Sequence, residues 1–217
     1  MFVIDDPIFC DNHLLVLDKP HGLLTQPSGT DEPSLEAAGK AWVKAAFDKP
    51  GAVFLEAVHR IDRVVGGLVL FARTSKALSR LNEAMRQGAV HKSYLAHVQG
   101  IPKQTEGVLV DWLLHGDGAA VAVPEGTPEA RRCELRYRLL EARRDGTALL
   151  EIDLKTGRYH QIRAQLSRAG WPIVGDTKYG GPPSGAPPNG IALLSNCLEL
   201  SHPVTKERLC FQTRMRL

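Results

Sequence analysis

The sequence lacks long hydrophobic runs, and no stretch of its 217 residues approaches the roughly 18 uninterrupted apolar residues of a membrane-spanning helix. We therefore expect no membrane partner. Residues 1–6 carry no basic segment ahead of an apolar run, which argues against a secretory signal. A Walker A loop, a GxGxxG turn, an HExxH helix and a GxSxG elbow are also missing, which argues against nucleotide-driven, dinucleotide, zinc-protease and serine-hydrolase chemistry.

Cysteine is scarce and scattered, with four residues in the chain: Cys10, Cys133, Cys197 and Cys210. None belongs to a CxxC pair, and Cys197 and Cys210 are separated by many residues without a histidine at zinc-finger spacing. We therefore expect no metal site, and we interpret the cysteines as buried thiols in a reducing cytoplasm rather than as disulfides.

The composition is that of a globular protein, with 43% hydrophobic and 24% charged residues and a net charge of +3. Charge is concentrated in one place, because six arginines lie between Arg131 and Arg144 with only two acidic residues among them. This basic stripe is compatible with an RNA contact and equally with the solvated face of a hairpin.

The hydrophobic pattern predicts many strands and three helices, without regular strand–helix alternation. Asp145-Gly146 is a strong hairpin-turn signal, and the Gly/Pro-rich stretch Gly180–Gly190 indicates a surface loop. We expect an α+β fold with a mixed, mostly antiparallel β-sheet and flanking helices, forming one domain over residues 1–217. The predicted strands are 13–19, 53–58, 68–72, 93–98, 135–141, 148–154, 191–200 and 209–213, and the predicted helices are 34–47, 74–88 and 159–168.

Two polar clusters are candidates for chemistry. In the first, Asp62 stands between Arg60 and Arg63 on a turn with two glycines, where nearby cations favour an ionised carboxylate. In the second, Tyr159 and Arg163 share a face near the start of a predicted helix, where free amides favour an anion. Solvated ion pairs on a surface loop and ordinary helix capping remain open as alternatives.

The segment from His59 to Ala72, HRIDRVVGGLVLFA, resembles the signature of the RluA-type RNA pseudouridine synthases. Further stretches match that family in order along nearly the whole chain: Leu15–Gln26 with DKPHG, Lys92-Ser93-Tyr94, Gly157–Gly181 with HQIR and GDTKYG, and His202-Pro203. The chain is similar to the compact members of the family, without an additional N-terminal RNA-binding domain, and the resemblance implies their pseudouridine-synthase type of fold.

The resemblance implies a role for five residues. Asp62 would be the catalytic aspartate, and Arg163 would pair with it, a contact that we expect to be a two-pronged hydrogen bond. Tyr94 would pack against the target uracil, Arg60 would help fill the gap left by an extruded base, and Leu193 would line the base pocket. Val65-Gly66 stands where the family usually has Thr-Ser, Gln26 replaces a common histidine, and Leu194 replaces another.

The implied activity is isomerisation of a specific uridine to pseudouridine in an rRNA or tRNA stem-loop, with no cofactor and no metal. We expect a cytoplasmic monomer without an obligate protein partner. Two alternatives remain: a non-catalytic RNA-binding or chaperone module on the same fold, and a glycosidase pairing Asp62 with Glu151, Asp153 or Asp176.

Overall fold

A computed structural model describes residues 3–217, and its fold is α+β with mostly antiparallel strand pairing, as the sequence predicts. The chain divides into two compact units. The discontinuous unit comprises the chain up to Val90 together with Ser195–Arg216, and the continuous unit comprises His91–Leu194 together with Leu217. In the described part of the chain, no helix is both long enough and apolar enough to cross a membrane.

The discontinuous unit is built around two central strands, one buried along its whole length (Gly66–Ala72) and one whose apolar part, residues 14–17, is buried. Its strand order is β1-β2-β4-β10, with β3 beside β4 and β11 beside β10. Two helices belong to this unit, and each buries a leucine, Leu35 in the first and Leu81 in the second. The side-chain oxygens of Ser34 and Thr74 cap the N-termini of the first and second helix, respectively. Its elements are β1 (Phe9–Cys10), β2 (Leu14–Lys19), α1 (Leu35–Ala46), β3 (Glu56–Ala57), β4 (Gly66–Ala72), α2 (Ser75–Arg86), β10 (Leu193–Ser201, which begins in the continuous unit) and β11 (Arg208–Gln212).

The continuous unit is an antiparallel sheet in the order β5-β9-β8-β6-β7, followed by one helix. The predicted hairpin turn is confirmed, because Gly146 has φ 81° and the Asp145 carboxylate accepts hydrogen bonds from Thr147. Its elements are β5 (His91–Gln99), β6 (Glu106–His115), β7 (Ala120–Val123), β8 (Arg131–Ala142), β9 (Thr147–Leu154), α3 (Gln161–Arg168) and a 3₁₀ turn (Thr177–Tyr179).

Three local expectations are wrong. The predicted strand 53–58 is reduced to β3, Glu56–Ala57. The helix expected from residue 159 begins at Gln161, because His160 has a left-handed backbone with φ 51° and cannot continue a helix. The spacing of apolar residues predicts that the first helix, α1, buries Leu35, Ala38, Trp42 and Ala45 or Ala46. The structure instead buries Leu35, Gly39 and Val43, and Gly39 is needed there because a Cβ would lie 2.7 Å from Leu55 Cδ2.

Candidate active site

The loop that carries Asp62 is held by a lysine at the end of β2. Lys19 has no exposed surface, and its ammonium donates to the carbonyl oxygens of Leu23 at 2.7 Å, Arg63 at 3.0 Å and Pro20 at 3.1 Å. Three acceptors match the three N–H bonds of an ammonium. One side chain therefore ties the turn after β2 to the residue next to Asp62.

Burial makes Lys19 an unusual titrating group. Removal from water lowers the pKa of Lys19 to about 7, the negative charge of Asp62 raises this pKa in part, and Arg63 lowers it further. The half-buried Asp62 carboxylate therefore lies within electrostatic reach of the Lys19 ammonium. Lys19 is distant from Asp62 in sequence, and the local sequence pointed only to Arg60 and Arg63 as cations beside this carboxylate.

Further bonds fix the main chain of the same loop. The Thr25 hydroxyl donates to the Ile61 carbonyl at 2.9 Å, and the Gly22 amide donates to the Arg63 carbonyl at 2.8 Å. The side chain of Arg63 donates to Gly22 O and pairs with Glu32 at 2.7 Å. Arg63 is thus engaged within the loop, whereas Arg60 is exposed.

The loop runs into β4 through two glycines that have different reasons to be glycine. Gly67 has φ 103°, and a Cβ there would lie 2.3 Å from Ser195 O, a backbone atom that cannot move aside easily. At Gly66 a Cβ would lie 2.6 Å from His21 Cε1 and 2.9 Å from Met215 Cε, which are side-chain atoms. Where the family usually has serine, this chain therefore fills the space with His21 and Met215.

In the continuous unit, Arg163 is fixed by a buried carboxylate. Its Nε donates to Asp176 Oδ2 at 2.7 Å and its Nη2 donates to Asp176 Oδ1 at 2.9 Å, a bidentate pair in which both side chains are buried. Asp176 belongs to the GDTKYG stretch and was not singled out from the sequence as a partner of Arg163. The predicted pairing of Arg163 with Asp62 concerns residues of two different units and stays a prediction.

His160 connects Arg163 to a tyrosine. The Arg163 Nη1 lies 2.9 Å from His160 Nε2, and His160 Nδ1 lies 2.9 Å from the Tyr179 hydroxyl. Because a guanidinium only donates, Nε2 must accept, and the ring proton of a neutral His160 then lies on Nδ1. The Tyr179 oxygen also accepts the Ala120 amide at 2.7 Å, and burial raises the pKa of Tyr179, so the phenol stays protonated.

Tyr94 and Leu193 are placed by strands. Tyr94 lies on β5 opposite Ile152 of β9 and is 5% exposed, and Ala96 and Val98 on the same side of the strand are buried too. Leu193 begins β10 and is buried. Both residues are therefore fixed by main-chain pairing rather than by loops.

The basic stripe is partly neutralised. Strand register brings Glu151 of β9 to Arg138, Arg132 pairs with Glu134, and Arg143 pairs with Glu141. Among residues 3–217, Arg131, Arg136 and Arg144 have no carboxylate within salt-bridge distance. Three of the six arginines of the stripe are therefore left without a carboxylate partner.

Ion pairing also bears on the glycosidase alternative, which requires a second carboxylate to work with Asp62. Each of the three acids considered for that role is engaged by a cation: Asp176 by Arg163, Asp153 by Lys155 and His91, and Glu151 by Arg138. The geometry thus gives that alternative no support.

Comparison with known proteins assigns the family. A family model described as RNA pseudouridylate synthase matches residues 13–168, which is well over half of the chain. The chain belongs to the RNA pseudouridylate synthase family. Its members isomerise uridine in RNA, and the chain is accordingly an isomerase of the RluA type.

Individual relatives agree with this assignment. The dual-specificity RNA pseudouridine synthase RluA of Escherichia coli strain K12 is 29% identical over 210 residues, covering 94% of this chain and 90% of that protein. The ribosomal large subunit pseudouridine synthase D of Yersinia pestis is 32% identical over 212 residues, covering 92% of this chain and 63% of that protein. The solved structure of human RNA pseudouridylate synthase domain containing 4 superposes with a TM-score of 0.80 at 23% identity, covering 97% of this chain and 88% of that one, which supports the fold.

Proposed function

We propose that the chain converts one specific uridine of a structured rRNA or tRNA to pseudouridine, with Asp62 as the catalytic aspartate. The observation that carries the proposal is the loop geometry: buried Lys19 binds the carbonyl next to Asp62 and places a positive charge near a half-buried carboxylate. A carboxylate that is held in position beside a cation suits cleavage of the bond between C1′ of ribose and N1 of uracil. The reaction ends when the rotated base rejoins through C5.

The remaining predicted residues receive roles in handling the base. Removing a uridine from a stacked or paired RNA costs a few kcal/mol. Packing against Tyr94 offsets part of this, since stacking a base on an aromatic ring contributes roughly 1–3 kcal/mol. Exposed Arg60 is available to occupy the vacated position in the RNA, and buried Leu193 supplies an apolar wall for the extruded uracil.

Arg163 has the role of a binding residue whose guanidinium is oriented in advance. Asp176 engages Nε and Nη2, and His160 engages Nη1, so the side chain cannot change rotamer without breaking these contacts. We propose that this preset orientation serves the pairing with Asp62 that the family resemblance implies. Orienting a charged group before the substrate arrives lowers the reorganisation needed during reaction.

The RNA backbone is proposed to lie along the part of the basic stripe that is not neutralised. Phosphate contacts make binding fall steeply with salt and carry little sequence information. Arg136→Gln should lower the slope of log affinity against log salt by about one. Arg138→Gln is the matched control, because Glu151 already pairs with that guanidinium and the slope should change less. A flat salt response of the wild type would contradict a phosphate-dominated interface.

The deciding experiment uses RNA from cells that lack the gene. Pseudouridine is mapped by chemical labelling and reverse-transcription stops, because the isomerisation leaves the mass unchanged. Wild-type protein should restore one or a few stops, and Asp62→Ala should restore none, with turnover lowered by at least about a hundredfold. The same RNA identifies whether the target is ribosomal or transfer RNA.

The matched control is Asp48→Asn. Asp48 is an exposed acid of the same unit with φ 45°, a backbone conformation that asparagine also tolerates. It should restore the stops as the wild type does. A chain that binds RNA but restores no stop in any form would instead support the non-catalytic RNA-binding alternative. We also propose a monomer in the cytoplasm, which sedimentation and cell fractionation test.

A further inference from the structure

The β10–β11 strand pair brings together two cysteines that are distant in sequence. In the observed register Cys197 faces Gln212 and Cys210 faces Glu199. Leu198, Leu200 and Phe211 alternate with these residues and are buried, so Cys197, Glu199 and Cys210 share the opposite face of the pair. The two Sγ atoms lie 3.8 Å apart, and they and a Glu199 carboxylate oxygen all lie within 4.8 Å of one another.

This spacing matches a tetrahedral metal centre. Zinc–sulfur bonds of about 2.3 Å at a tetrahedral angle separate two thiolates by about 3.8 Å. Thiolate and carboxylate are both accepted zinc ligands, and three protein ligands leave a fourth position for water. The Glu199 oxygen needs to approach by less than about 1.5 Å to complete the set, within the range of one side-chain torsion.

A disulfide fits the same pair less well. Cys197 and Cys210 are diagonal neighbours in the register, and diagonal Cα atoms in a sheet are usually about 7–8 Å apart. A disulfide usually requires Cα atoms within about 6.8 Å. Bridging the two sulfurs would therefore require the backbone to move, whereas a metal ion fits between sulfurs that are already at contact distance.

The other two cysteines of the chain differ in each relevant respect. Cys133 is buried and donates to the Asp111 carbonyl, and burial raises the pKa of its thiol to about 11. Cys10 contacts the Arg73 guanidinium, and burial raises its pKa as well. Neither has a second cysteine beside it in the described structure, so both serve as internal controls.

We propose that Cys197, Glu199 and Cys210 bind one thiophilic divalent cation, with Zn²⁺ as the fitting ion. The ligands are two thiolates and one carboxylate, and binding releases the thiol protons to solvent. Glu199 also pairs with Arg208 at 2.9 Å, but the arginine side chain is 83% exposed, so this surface pair yields readily to a metal. The site is independent of the proposed catalytic function and of the RNA.

Bound metal would clamp β11 to β10, and the residues that follow β11 contact other parts of the discontinuous unit. The Thr213 side chain and the Arg214 amide, which follow β11 directly, bind the Asp18 carboxylate next to Lys19. Met215 lies against Gly66. We therefore expect the metal to raise the melting temperature of the full chain, because it binds the folded hairpin and has weaker affinity for the unfolded chain.

The test is a titration of the full-length reduced protein with Zn²⁺, and with Co²⁺ as a spectroscopic probe, in the presence of a non-thiol reductant. We expect one ion per chain, a sulfur-to-cobalt charge-transfer band and a higher melting temperature. Cys197→Ser and Cys210→Ser should each weaken binding by at least about tenfold and abolish or shift the band, since even indirect partners of a metal contribute that much. Glu199→Gln should weaken binding while keeping the band.

Cys10→Ser and Cys133→Ser are the matched controls and should bind the ions as the wild type does. Circular dichroism of each variant without metal checks folding, and Cys210→Ala replaces Cys210→Ser if the latter is unstable. Equal affinity in wild type and both hairpin variants would overturn the proposal, and so would no binding under reducing conditions. Rapid formation of a Cys197–Cys210 disulfide in air, together with no metal binding by the reduced protein, would also overturn it.

Discussion

The two units hold their functional charge in different ways. The discontinuous unit fixes the Asp62 loop through its main chain, because Lys19, Thr25 and Gly22 all bind backbone groups of that loop. The continuous unit fixes Arg163 through side chains, with Asp176 and His160 as direct partners of the guanidinium. A position held by the backbone is lost only when the loop itself is deformed, whereas one held by side chains can be displaced while the fold persists.

The largest effect on stability is expected in the discontinuous unit, where Gly67 lies close to the backbone of Ser195. Gly67→Ala places a Cβ 2.3 Å from Ser195 O at φ 103°. Strain and overpacking together should lower the free energy of unfolding by about 3–5 kcal/mol, measured by urea denaturation. Gly88→Ala is the matched control, since φ is 68° with nothing within 4 Å of the added carbon, and it should cost only about 1 kcal/mol. Equal losses in the two variants would show that the contact with Ser195 is unimportant.

The second largest effect is expected for Lys19→Met. This change should lower the free energy of unfolding by about 3 kcal/mol, because three carbonyls lose a charged donor. The pH dependence of stability tests whether the buried Lys19 ammonium is the cause. The folded pKa lies near 7 and the unfolded one near 10.5, so between these values the unfolded chain binds more protons and wild-type stability rises with pH.

The rise should be on the order of 1 kcal/mol per pH unit above pH 7. It should be missing in Lys19→Met. Urea unfolding at several pH values measures both chains, and exposed Lys44→Met serves as the control that keeps the slope. A parallel slope in Lys19→Met would assign the pH dependence to another group.

Substitutions around Arg163 in the continuous unit should change activity more than the free energy of unfolding. Asp176→Asn keeps an acceptor for Arg163 but removes the charge and one side of the bidentate contact. If the preset guanidinium matters, kcat should fall about a hundredfold while KM changes less. Single-turnover kinetics on the target RNA measure the two separately, and exposed Asp117→Asn is the control.

Arg163→Lys sharpens the same point, because lysine keeps the charge and loses the planar fork. Near-normal turnover in this variant would contradict an orienting role for the guanidinium. Normal turnover in Asp176→Asn together with loss in Arg163→Lys would instead mean that His160 alone suffices to position Arg163.

The smallest effect is expected for Gly66→Ser, which restores the residue usual in the family. The atoms nearest to the added carbon are side-chain atoms of His21 and Met215, which can move aside. The free energy of unfolding should therefore fall by only about 1 kcal/mol. Met215→Ala should recover part of it, which a double-mutant cycle of urea unfolding measures. Strict additivity of the two changes would show that Met215 does not occupy the serine position.

The parts that were predictable follow short-range rules. The turn at Asp145-Gly146 and the helix starts at Ser34 and Thr74 are set by neighbours in sequence, and all three are confirmed. Strands β6 and β7 were not predicted at all. The family motifs pointed to Asp62 and Arg163. Without them, the clusters around these two residues could equally have been solvated ion pairs on a surface loop and ordinary helix capping.

The parts that were missed depend on which strands and loops meet. Lys19 binds a carbonyl 44 residues away, and the metal-ligand geometry of Cys197 and Cys210 exists only in the β10–β11 register. The pairing of Arg138 with Glu151 likewise comes from the β8–β9 register. Long-range pairing of this kind has no signal in local composition or periodicity. The lack of a histidine or CxxC motif predicted no metal site, and the local sequence carried no information on how near Cys197 and Cys210 lie to each other.

The contact between Gly67 and Ser195 has a consequence for biosynthesis. Strand β4 and Asp18 depend on residues 195–214, which leave the ribosome only after the whole continuous unit has been made. Until then, the part of the discontinuous unit up to Val90 has a sheet edge without its partner strand. Its core is completed by contacts of long sequence separation, which form slowly. A nascent chain of this protein should be most exposed to chaperones and proteases during that interval.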